Sequence, residues 1–187
     1  MASLWEAFTS ILDGGDNNEQ SNTKGSHKPP MPNAHEIIPG VWLGNIHSAH
    51  DLGFLKSKKI SVVVNCSKDI PFLAEVNTNA SFTKYRVPVH DNLKEEEIKA
   101  MTKYIPTIVP HILQHITAEK RNVLIHCYAG MQRSAAVLAC CLMKRYKLSM
   151  KECISYIQQK RPIAFRPGVN FFDSIRAYES MVHTRSM

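Results

Sequence analysis

Several things are missing from this sequence of 187 residues, and each absence narrows what it does. No apolar run reaches the roughly 18 to 20 residues that a helix needs to cross a bilayer. The first twelve residues contain Glu6 and no basic side chain, so they do not read as a secretion signal. The five cysteines form no Cys-x-x-Cys pair and no metal-type Cys/His block. Their odd number, without a signal, suits free thiols in a reducing compartment: the cytoplasm, with the nucleus left open. There is no internal repeat, and the hydrophobic share of 44% is that of an ordinary globular chain.

What is present is uneven. Residues 1–118 hold 11 Lys and Arg against 12 Asp and Glu, whereas residues 119–187 hold 12 against 4. The excess of +7 therefore sits in the last third, where it suits either solvated helix faces or a surface for a phosphorylated or nucleic-acid partner. Residues 1–12 carry Leu4, Trp5, Phe8, Ile11 and Leu12 at helical spacing. This short amphipathic segment either docks on its own domain or serves self-association or partner docking through residues 4–12. Residues 13–35 are rich in Gly, Asn, Ser and Pro and read as a flexible linker.

From residue 36 to 187 the pattern is that of one α/β domain. Strands are expected at Val41–Leu43, Ile60–Asn65, Tyr85–Val89 and Val123–His126. A helical stripe runs from Lys94 to Ala118, with Pro106 and Pro110 expected to kink or divide it. Further helices are expected over Arg133–Tyr146, Ser149–Lys160, with a capping box at Ser149 and Glu152, and Val169–Val182. Alternating strands and helices imply a central mixed, mostly parallel sheet flanked by helices.

The chemistry concentrates in Val123-Leu-Ile-His-Cys-Tyr-Ala-Gly-Met-Gln-Arg-Ser134. A strand ends at His126, Cys127 opens a tight loop, and Arg133 starts a helix. Such a loop turns several N–H groups toward one point at a positive helix end, which makes an anion cradle. Gly130 permits the turn where a side chain would clash. Arg133 can hold two phosphate oxygens with its planar fork. The same donors favour a thiolate at Cys127, a nucleophile suited to phosphoryl transfer.

The stretch HCYAGMQRS resembles the HCxxGxxRS signature of cysteine-dependent protein phosphatases. Ile37–Gly44, Asp91 in its setting Tyr85–Asn92, and Arg161-Pro162 with Pro167–Phe171 narrow the resemblance to small dual-specificity phosphatases of the protein tyrosine phosphatase superfamily. The resemblance implies that fold over about residues 36–182, and phosphorylated proteins as substrates. It implies that Cys127 attacks phosphorus, Arg133 and the loop residues Tyr128, Ala129, Gly130, Met131 and Gln132 bind the phosphate, Ser134 bonds the sulfur, and His126 orients the loop and tunes the thiol. Asp91 stands where the family carries its general acid, although an Asp before a helix also suits an N-cap. No metal and no cofactor is implied.

Two departures stand out. Gln132 replaces a small residue and is expected to alter the pocket rim. The closing order Pro-Asn-x-Gly-Phe becomes Pro167-Gly168-Val169-Asn170-Phe171, which removes the Asn that braces the phosphate loop and lets Asn170 adopt the left-handed turn. Arg161 and Arg166 are expected to steer phosphate toward the pocket. Cys66 closes a neighbouring strand and is either a packed thiol or a redox partner for Cys127; Cys140 and Cys141 read as core. His111 and His115, four apart, lack a third ligand for a metal. Uncharged loop side chains favour a phosphoprotein substrate over RNA 5′-phosphates or phosphoinositides, which leaves nucleic acid the less favoured partner. A non-catalytic phosphopeptide-binding module is the remaining reading.

Overall fold

The computed structural model describes residues 31–184. The amphipathic segment at residues 4–12 and most of the linker lie outside the described residues. Five strands form one sheet in the order β1-β2-β5-β3-β4. They are β1 (Ala34–Ile38), β2 (Val41–Gly44), β3 (Ile60–Asn65), β4 (Thr83–Arg86) and β5 (Asn122–His126). β1 runs antiparallel to β2, and every other pairing is parallel, giving the mixed, mostly parallel sheet expected. β1 takes in Ala34 and His35, which composition had assigned to the linker.

Seven helices accompany the sheet among the described residues: α1 (Ile46–Ala49), α2 (Leu52–Ser57), α3 (Ala74–Thr78), α4 (Glu95–Thr117), α5 (Arg133–Tyr146), α6 (Met150–Lys160) and α7 (Phe172–Thr184). Ala49, Leu55 and Val76 from the three short helices pack with Val63 and Leu124 on one face of the sheet. Side chains alternate along a strand, so Val62, Val64, Val123 and Ile125 point to the opposite face, toward α4 and α5. Helices on both faces explain why Val62, Val63 and Val64 of β3 are apolar without alternation.

α5 is buried from Arg133 to Met143 because β5, α4, α6 and α7 surround it. Its small and apolar residues therefore show no polar stripe. α4 is one helix despite Pro106 and Pro110, so they do not divide it. Its stripe from Met101 to Ile116 is buried. Burial outweighs the backbone bonds that the prolines remove. α6 starts on the expected capping box.

Strand four differs from expectation. It covers Thr83–Arg86, and Val87–Val89 leave the sheet while staying buried at Val87 and Val89. Apolar alternation alone cannot distinguish a strand from a buried irregular segment. The difference matters, because this segment carries the chain to Asp91. Parallel register aligns Gly44, His126 and Asn65 across three strand ends. Cys127 emerges from the middle of that line.

Candidate active site

Cys127 lies buried at the floor of the loop between β5 and α5. The Gly130 N–H donates to its Sγ at 3.3 Å and the Ser134 hydroxyl at 3.2 Å. Burial alone pushes this thiol up. The Arg133 guanidinium, the Ser134 hydroxyl and N–H, and the Met131 N–H together outweigh it and hold the thiol below its ordinary value. Burial raises Cys66, Cys140, Cys141 and Cys153 instead. Cys127 is thus set apart by its neighbours and not by its depth.

Gly130 has φ of +66°, and an added Cβ would press on the Gly44 carbonyl group and the Arg161 guanidinium. Backbone atoms of β2 cannot move aside, so the turn requires glycine.

Arg133 Nη1 donates to the Val89 carbonyl at 3.1 Å, which fixes the guanidinium over the loop. Its Nε is buried without a hydrogen-bond partner among the described residues, 3.7 Å from Asp91 Oδ2. An unpaired buried guanidinium N–H is costly unless an anion completes it. The position favours a phosphate oxygen.

Asp91 is not an N-cap. α4 is capped at Lys94, with no side-chain bond there. Asp91 instead faces the loop, where Oδ1 accepts from Asn170 Nδ2 at 3.0 Å. Asn170 does not adopt the left-handed conformation expected of it; Phe165, with φ of +59°, is the left-handed residue of that segment. The side-chain amide of Asn170 is engaged by a carboxylate, and its backbone N–H donates to Gln132 Oε1 at 3.1 Å.

Gln132 is buried and not a rim residue. Its Nε2 donates to the carbonyls of Gly168 at 2.8 Å and Arg166 at 3.0 Å. The brace absent at Gly168 is therefore supplied from the loop side. These two departures from the family pattern are complementary, and that pairing was the readable signal.

Arg161 corrects the expectation of steering. It is fully buried behind the loop, where Nε donates to the Gly130 carbonyl at 2.9 Å and Nη2 to the Ala129 carbonyl at 3.1 Å. Its Nη1 reaches the Pro32 carbonyl and His35 Nδ1. Burial lowers its pKa to about 10, which leaves it charged at neutral pH. Loop carbonyls held outward in this way leave the loop N–H groups turned inward. Arg166 is exposed.

His126 is buried, and burial above all pushes its imidazole down to about 4. It is neutral near pH 7, so it does not stabilise a thiolate by charge; its carbonyl accepts from the Cys66 N–H at 2.7 Å. That bond sets Cys66 beside the end of β5. Tyr128 is exposed at the mouth; Ala129 and Met131 are half-buried. His115 Nδ1 pairs with Glu119 at 2.8 Å and its Nε2 with the Tyr85 hydroxyl at 2.9 Å, and His111 stacks on Tyr85. No cluster of three metal-ligating residues occurs among the described residues, and no helix there is long and apolar enough to cross a membrane.

The family model for the dual specificity phosphatase catalytic domain matches residues 41–181, from β2 to the last helix. The chain belongs to this family. Mouse protein phosphatase Slingshot homolog 3 is 29% identical over 150 residues, 80% of this chain and 21% of that protein. Rat dual specificity protein phosphatase 4 is 29% identical over 155 residues, 81% of this chain and 36% of that protein. The match thus spans about a fifth to a third of these relatives' length. The crystal structure of human DUSP28 superposes with a TM-score of 0.70 at 23% identity, covering 83% of this chain and 98% of that one. That of PTPMT1 in complex with PI(5)P gives 0.69 at 18%, covering 83% and 100%. The α/β sheet flanked by helices is the fold shared with these structures.

Proposed function

We propose that this dual specificity phosphatase domain hydrolyses phosphotyrosine and phosphoserine or phosphothreonine in proteins through a phosphocysteine. The observation that carries the proposal is the sulfur of Cys127, held below its ordinary pKa by Arg133, Ser134 and loop N–H groups, with Asp91 Oδ2 3.7 Å from Arg133. In the first step the thiolate attacks phosphorus and a P–S bond forms. The P–O bond to the side chain breaks, and Asp91 gives its proton to the departing oxygen. In the second step Asp91 takes a proton from water, which attacks phosphorus and releases phosphate and the thiolate. The Ser134 hydroxyl stabilises that thiolate as it leaves. Arg133 and the loop donors hold the equatorial oxygens through both steps. His126 shapes the loop's start as a neutral group.

Phosphorylated proteins in a reducing compartment are the partners that this chemistry suits. We take Cys66, whose N–H donates to the His126 carbonyl at 2.7 Å, as the redox partner of an oxidised Cys127. The uncharged side chains of Tyr128, Ala129, Met131 and Gln132 favour a peptide over a polyanionic head group or RNA end.

Wild type and Cys127→Ser are to be incubated with phosphotyrosine and phosphothreonine peptides, a phosphoinositide and 5′-triphosphorylated RNA. Phosphate release from both peptide classes by wild type alone is the expected result. Release only from lipid or RNA overturns the substrate class. Binding without release from any of them overturns catalysis.

A further inference from the structure

Large apolar side chains left in water invite the question of what covers them. Among the described residues these are Met31, Leu93, Tyr128 and Phe172. Met31 is the first described residue. The other three lie on the three segments that frame Cys127. Tyr128 follows the nucleophile and is 65% exposed. Leu93 stands two residues after Asp91 and is 48% exposed. Phe172 stands two residues after Asn170 and is 36% exposed.

Two cross-links place Leu93 and Phe172 on one wall of the mouth. On the near side Asn170 bonds Asp91 at 3.0 Å. On the far side Ser174 Oγ donates to the Ile98 carbonyl at 3.1 Å and accepts from Thr102 Oγ1 at 2.9 Å. Leu93 and Phe172 fall between these links on their two segments. Tyr128 belongs to a different wall, where its carbonyl accepts from the Ile46 N–H at 3.0 Å.

Leu93 also has φ of +57°, a conformation that a β-carbon resists. The leucine serves neither the core nor the turn. Lys68 pairs with Glu97 at 3.5 Å, and His90 Nδ1 lies 3.1 Å from Asp69 Oδ2. Arg176 lies over the Phe172 ring, 4.6 Å from its centroid. Apolar side chains flanking a phosphorylated residue held at Cys127 are the chemistry that would cover Leu93, Phe172 and Tyr128. An extended peptide puts the side chains one and two residues from its phosphorylated residue about 3 to 7 Å along the chain.

We propose that Leu93 and Phe172, with Tyr128 across the mouth, select phosphorylated polypeptides carrying apolar side chains beside the phosphorylated residue. This inference rests on the reading of the chain as a protein phosphatase.

The test uses the full chain and three phosphotyrosine peptides whose flanking positions are Leu and Phe, Ser, or Glu, with p-nitrophenyl phosphate as the small reference substrate. Wild type should turn over the apolar-flanked peptide with kcat/KM about tenfold above the Ser-flanked one. The double variant Leu93→Gly, Phe172→Ser should lose that preference, read as the ratio of peptide to p-nitrophenyl phosphate kcat/KM. Glycine relieves the left-handed backbone and Phe172 is at the surface, so the variant should fold; its thermal midpoint checks this. Should it fail to fold, Phe172→Ser alone should show a partial loss. Equal turnover of all three peptides, or a preference that survives in the variants, overturns the rim and leaves the phosphatase reading standing. No peptide turnover, with release from phosphoinositide vesicles or triphosphorylated RNA, overturns both.

Discussion

The side-chain amide of Asn170 donates to Asp91 Oδ1 at 3.0 Å, while the Asn170 backbone N–H donates to Gln132 on the phosphate loop at 3.1 Å. One residue thus ties the candidate acid to the cradle it serves. Asn170→Ala should cut kcat about tenfold on phenyl phosphate, whose leaving group needs a proton, and less on p-nitrophenyl phosphate. In an Asp91→Asn background the same change should have little further effect. Steady-state kinetics on the two esters in the four proteins measure this, and equal losses on both esters would sink the positioning role.

Arg161 holds the loop from behind, and its removal leaves the carbonyls of Ala129 and Gly130 buried without partners. Arg161→Met should lower stability by about 3 kcal/mol. Urea midpoints report the stability. Oxyanion affinity, measured with vanadate by calorimetry, should fall as well, although Arg161 faces away from the ligand side of the loop.

His126 predicts an acid limb in stability. Its imidazole takes a proton near pH 6.5 when unfolded but only near 4 in the fold, because burial favours the neutral ring. The unfolded chain therefore binds more protons between those values, and stability falls as the pH drops through them. The loss should approach about 3 kcal/mol at pH 4. His35, lowered by burial and by Arg161, acts with the same sign. Urea unfolding from pH 7.5 to 4.5 should show the slope, and His126→Gln should flatten most of it.

Hydrogen peroxide should link Cys66 to Cys127. The Cys127 thiolate is oxidised to a sulfenic acid as peroxide is reduced to water; Cys66 then displaces water and closes the disulfide. Peptide mapping should find the bridge, and dithiothreitol should restore activity. Cys66→Ser should instead overoxidise irreversibly. Absence of the bridge in wild type counts against Cys66 as the redox partner.

Much of this was legible in the sequence because it depends on local pattern. The strand–Cys127–loop–Arg133 segment, the capping box at Ser149 and the apolar stripe of α4 are written in adjacent or periodic residues. The bonds that brace the site are not. Arg161 and Gly130 lie 31 residues apart, and Asp91 and Asn170 lie 79 apart. Residue types alone do not show which arginine is buried against two carbonyls and which stays in solvent. β1 and the three short helices were missed because four to six residues are too few to establish a period. Val87–Val89 misled for the opposite reason: their alternation reflects burial, and after the Val87 N–H bond to the Asn65 carbonyl at 2.9 Å the backbone leaves the ladder.

The outward bonds of Arg161 and Gln132 have a thermodynamic consequence. A six-residue loop that closed only around its ligand would have to order its backbone at every binding event, at about 1 to 2 kcal/mol per residue. Here that entropy is lost once, when the chain folds. Anion binding should therefore be quick and nearly free of backbone rearrangement, and its strength set by charge and hydrogen bonding alone.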